Sequence, residues 1–109
     1  MGMRKSVGRG VVRKRPAPRP PAIEELKNLG GTNARILHAA GITSPAQLQE
    51  LGAVGAYIRV RRTGVHAGLN LLYALEGALR DTSWTELPYS VRASLTLEAD
   101  AYLSSEGLR

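Results

Sequence analysis

The sequence predicts an all-α fold, a compact bundle of five or six short helices that contains one helix-hairpin-helix unit and follows a disordered basic tail. Beyond position 22, apolar residues recur at spacings of three and four, and no strand alternation or hairpin dipeptide competes. Glycine, proline and capping residues cut these runs into short pieces with short connections. The charge is also divided: Arg4, Lys5, Arg9, Arg13, Lys14, Arg15 and Arg19 face no acid within residues 1–22, a formal +7. Residues 23–109 hold eight bases and nine acids, 8 − 9 = −1.

The first segment, 1–22, also holds four of the six prolines and little that is large and apolar. Such a composition does not bury enough surface to offset chain entropy, so disorder with local polyproline character is expected. The helical domain then spans 23–104, and residues 105–109 are expected to fray. In the domain, Ile23 to Asn28 forms a first helix, with Glu24 and Glu25 in the first turn where carboxylates oppose the dipole. After Leu29-Gly30-Gly31, either Gly31 or Thr32 caps a second helix whose Ala34, Ile36, Leu37 and Ala40 face the core, and Gly41 ends it.

Ser44-Pro45-Ala46-Gln47 opens a third helix: serine as N-cap, proline at the first helical position and glutamine three residues on to close a capping box. Gly52 interrupts it, and Ala53–Arg62 forms a fourth, with Val54, Tyr57, Ile58 and Arg61 on one side and Arg59 and Arg62 on another. Leu69–Leu79 is apolar nearly all round and reads as the buried central helix, in which Gly77 marks a close approach of a neighbour. Ser83-Trp84-Thr85-Glu86 is a second capping box before Pro88. A last helix from Tyr89 to Leu103 places Val91, Leu95, Ala99 and Tyr102 on a buried stripe.

At 109 residues the chain has room for one domain, and it has no cysteine, so disulfides, thiolate metal sites and a cysteine nucleophile are excluded. No apolar run reaches the length of a membrane span, and the N-terminus lacks a secretory signal, so a cytoplasmic location is expected. His38 and His66 stand apart with no carboxylate at ligand spacing, which argues against a metal site. Asn70 and Glu76 are six residues apart on different helix faces, so Asn70 is expected to cap or brace the preceding loop and Glu76 to meet an arginine or solvent. No nucleophile, base and orienting acid assemble, and no catalytic residue, cofactor or small-molecule substrate is expected.

The chemistry that remains concerns phosphate. A helix opening after Gly31 aims unpaired N–H groups and its positive dipole end outward. Gly30, Gly31, Thr32, Asn33 and Arg35 are therefore candidate nucleic-acid contacts, joined by Arg13, Lys14, Arg15 and Arg19 of the tail. Tyr57 beside Arg61 and Arg62 is the one hint of a stacking platform; the remaining aromatics read as core.

Leu26-Lys27-Asn28-Leu29-Gly30, Ala39-Ala40-Gly41-Ile42-Thr43, Gln47-Leu48, Leu51-Gly52-Ala53-Val54 and Ala56-Tyr57 together resemble a known family, as do the string Leu69 to Leu79, Trp84 and Leu87-Pro88. The family is the C-terminal domain of the competence and transformation regulator TfoX, and the resemblance covers about 23–103. It implies an all-helical domain related to helix-hairpin-helix folds, here expected as a stand-alone version. The family often follows its turn glycine with proline, lysine and a small hydroxyl residue, whereas here Gly31, Thr32 and Asn33 stand there. One charge-assisted phosphate contact is thereby missing. The expected function is a bacterial regulatory adaptor that docks a protein partner, its tail adding sequence-independent nucleic-acid affinity; the alternative is direct DNA binding through the hairpin turn.

Overall fold

A computed structural model describes residues 22–108, and among these it contains four α-helices, two single 3₁₀ turns and no strand. The helices are α1 (Thr32–Ala39), α2 (Pro45–Arg62), α3 (Leu69–Arg80) and α4 (Tyr89–Glu106). One 3₁₀ turn (Ile23–Glu25) precedes α1, and the other (Trp84–Glu86) links α3 to α4. The expected tail lies outside the described residues.

The helix count is four rather than five or six. Ile23–Asn28 forms only the 3₁₀ turn, since Leu26 turns to extended backbone (φ −76°, ψ 150°) and Asn28 is left-handed (φ 74°). Six residues give too few hydrogen bonds to repay helix nucleation. The segment before Gly30 is therefore not the first helix of a helix-hairpin-helix pair. The runs on either side of Gly52 meet at non-helical backbone (φ 74°, ψ 169°), the interruption the sequence predicts, and count as one kinked element.

The helix ends follow local chemistry. Ser44 Oγ accepts from Gln47 N at 3.2 Å while Gln47 Oε1 accepts from Ser44 N at 3.1 Å, completing the expected box at the start of α2. Gly31 caps α1 without a side chain. At its far end, Ile42 N donates to Leu37 O at 2.9 Å across Gly41. The second expected capping box does not form: Ser83 makes no cap bond, and its hydroxyl lies 2.9 Å from that of Thr85. Asn70 caps nothing, because α3 starts one residue after an uncapped Gly68.

Helices α2 and α3 share the most extensive contact, and α4 lies against both. Leu48, Val60, Leu72 and Leu75 are fully buried, and Leu29, Leu37 and Ile42 bring the turn and α1 into the same core. On α4 the expected stripe shifts: Ala99 and Leu103 are buried, whereas Tyr102 is 50% exposed. The four-residue ridge that runs from Leu95 through Ala99 continues to Leu103, one position past the tyrosine. The helix also extends to Glu106, and Leu108 N closes its end on Leu103 O at 2.8 Å.

Gly77 is indeed a place of close approach, but the neighbour is a side chain and a loop instead of a helix. A Cβ there would stand 2.5 Å from Asn28 Nδ2 and 2.7 Å from Thr82 O. The Asn28 amide lies over this bare backbone, donating to Thr82 O at 2.9 Å and Ala74 O at 3.4 Å and accepting from Trp84 N at 3.3 Å. The backbone carbonyl of Asn28 in turn accepts from Asn33 Nδ2 at 3.0 Å.

Two outcomes check this lock. Gly77→Ala, which helix propensity alone would favour by about 1 kcal/mol, instead destabilises by about 1–3 kcal/mol because Thr82 O is backbone and yields poorly. A melting temperature raised by the alanine would show the site to be roomier than described. Asn28→Asp sets an acceptor against two carbonyls and lowers stability by about 1–3 kcal/mol in denaturant titrations; an unchanged midpoint would mean that the amide bonds carry no weight.

Candidate functional site

The phosphate-seeking residues of the turn fall into two groups. Gly30, Gly31, Thr32 and Arg35 are exposed, and no side chain caps the N-terminus of α1. Asn33 is half-buried, with its amide committed inward to Asn28 O. The adjoining 3₁₀ turn carries exposed Glu24 and Glu25, and Glu24 Oε1 lies 3.2 Å from His38 Nε2. Arg35 thus stands on an element whose neighbour is acidic, which opposes a phosphate clamp. Arg13, Lys14, Arg15 and Arg19 lie outside the described residues.

The arginines at the end of α2 are mostly spent on structure. Arg61 Nη2 donates to Leu108 O at 2.7 Å and Nη1 to the Tyr57 hydroxyl at 3.3 Å, with the guanidinium 5.9 Å from the Tyr57 ring centroid. Arg62 grips Glu106 through Nε at 2.8 Å and Nη2 at 2.5 Å. That hydrogen bonding, reinforced by the charge, holds the Glu106 carboxyl below its ordinary value and raises Arg62. A depressed carboxylate contributes above its unfolded range and loses that contribution as the pH falls through the folded value, so this tie between α2 and α4 weakens in acid.

Tyr57 is no stacking platform. It is 1% exposed, and its hydroxyl donates to Ala67 O at 2.9 Å. Glu76 meets Arg80 one turn on at 2.7 Å, as its position suggests. No group of three metal-ligating side chains forms among the described residues, and none of their helices is long and apolar enough to cross a membrane.

A different surface stands out, and the sequence reading missed it by assigning the aromatics to the core. On α4, Tyr89 is 81% and Leu97 72% exposed. With Ala93 they form a row at spacings of four, beside a groove of about 550 Å³ bounded by Tyr73, Arg92 and Thr96. Thr96 Oγ1 donates to Arg92 O at 2.9 Å and therefore accepts from the Tyr73 hydroxyl, also at 2.9 Å. The Tyr73 ring stacks on Trp84 with centroids 6.2 Å apart, and the Arg92 guanidinium lies 5.8 Å from its centroid. The legible signal was the row 89, 93 and 97, which the buried ridge beginning at Leu95 leaves facing outward.

The comparisons agree with this architecture. A crystal structure of an uncharacterized protein from Listeria monocytogenes is similar at 30% identity and a TM-score of 0.68, covering 80% of this chain and 96% of that one. No curated protein matches. The sequence profile of the TfoX C-terminal domain matches residues 19–99, most of the chain and nearly all of the described fold, and the chain belongs to that family.

Proposed function

We propose that the domain is a non-enzymatic regulatory adaptor that docks a protein partner, with the basic segment 1–22 adding sequence-independent nucleic-acid affinity. The observation that carries this reading is the separation of charge from exposed apolar surface. The fold itself is close to neutral, which disfavours phosphate binding, whereas α4 presents Tyr89 and Leu97 to solvent. The family resemblance is consistent with a role in competence for DNA transformation, in a bacterial cytoplasm. In this reading there is no small-molecule substrate and no cofactor.

A second reading is favoured by one specific observation, the uncapped N-terminus of α1 beside exposed Arg35. There, Gly30, Gly31 and Thr32 would clamp a DNA phosphate through backbone N–H groups. The acids on the neighbouring 3₁₀ turn weigh against it.

Duplex affinity measured against salt separates the two, using the full chain and residues 23–109, which retain every buried core residue. The adaptor reading expects the full chain to bind with a log–log slope of roughly −0.9 per phosphate neutralised, and the shortened chain to lose most of both affinity and slope. Retention of both by residues 23–109 would establish the clamp instead. Absence of binding by either at low salt removes nucleic acid from the function.

A further inference from the structure

We infer that the groove on α4 is the docking surface for a protein segment that places a carboxylate between apolar residues, with Arg92 as its anchor. This deepens the adaptor reading and rests on it. Arg92 is half-buried, and its Nε is shut off from solvent with no hydrogen-bond partner. Among the described residues, no carboxylate pairs with its guanidinium, whose recorded contact is the Tyr73 ring. Arg61, Arg62 and Arg80 each have an oxygen partner, so Arg92 differs from them.

A guanidinium held in an apolar groove keeps a partly desolvated charge, and a carboxylate laid against it gains from the low local dielectric. The walls define the rest of the ligand. Tyr89 and Leu97 are eight residues apart on α4, about 12 Å along the helix. That span suits apolar side chains two turns apart on an incoming helix, with the acid between them. Tyr73 cannot swing away to accommodate some other shape, because Trp84 stacks on it and Thr96 holds its hydroxyl.

Nucleic acid fits this surface poorly. Among the described residues, Arg92 is the one cation lining the groove, and the other lining residues are apolar or hydroxyl-bearing. A phosphate backbone spaces its charges regularly and draws on several cations at once.

The test pans a phage-displayed library of random peptides against the full chain and maps selected peptides by methyl and amide NMR shifts. The expected winners carry Asp or Glu flanked by Leu, Ile or Phe, and shift Ala93, Thr96 and Leu97. Arg92→Gln and an amide in place of the peptide's acid each weaken binding about tenfold or more. Leu97→Glu, at an exposed position that the core does not use, abolishes binding with the melting temperature unchanged. It thereby covers the case in which Arg92→Gln disturbs Tyr73.

Winners with no acid, or indifferent to Arg92→Gln, overturn the assignment. Winners that map to another face overturn it while leaving the adaptor reading intact, and a library that yields no binder overturns both. Concentration-dependent shifts of the same methyls without peptide, together with a dimer in sedimentation, would place a second copy there. Shifts produced by duplex DNA would place nucleic acid there, and either result overturns the proposal.

Discussion

The amide of Asn28 is the point on which the arrangement of this domain depends. A side chain with one donor group and one acceptor is met by two carbonyls and an N–H of a distant segment, so its orientation is forced by what the partners can do. It reaches them only because residue 77 has no side chain. The turn before α1 is joined there to α3 and the loop that follows it, 46 to 56 positions away in the sequence. A left-handed backbone at Asn28 turns the chain toward Gly30, and the Asn33 amide secures the result from the other side. Short helices with little individual stability gain their placement from this junction and from the core beneath it.

The same junction sets up the exposed surface. Trp84 donates its backbone N–H to the Asn28 side chain and stacks on Tyr73, which holds Thr96 and faces the Arg92 guanidinium. One line of contacts therefore runs from Asn28 through Trp84 and Tyr73 to the groove. The arginines at the end of α2 belong to a second line, which fastens the C-terminal end of α4 through Leu108 and Glu106. Their charges are locally neutralised or bound to carbonyls. Among the described residues, only Arg59, Arg35 and Lys27 are exposed bases without an ion pair, too few for a basic face.

Much of the local structure was legible in the sequence. The capping box at Ser44 and Gln47, the break at Gly52, the apolar helix from Leu69 and the pairing of Glu76 with a nearby arginine all follow from interactions within a few residues. What failed did so where distant parts of the chain decide. Ile23–Asn28 has helix-forming residues, yet Asn28 is drawn off to bond a loop more than fifty positions away. Tyr102 fits a helical stripe as well as Leu103 does, and only the position of α4 against its neighbours selects between them. A turn at Gly30 and Gly31 was legible in the chain, but the His38–Glu24 contact beside it and the inward Asn33 amide came from packing.

By itself the sequence determined the all-helical class, the places where its main helices start and stop, and the division between a basic leader and a nearly neutral domain. Those properties depend on spacing, caps and composition, which act over one or two helical turns. The tertiary structure alone decided that a glycine in the central helix is the seat for an asparagine, and that Tyr89, Arg92 and Leu97 border an open groove. Which face of an amphipathic helix is covered, and whether a half-buried guanidinium finds a carboxylate, depends on the full set of neighbours in three dimensions.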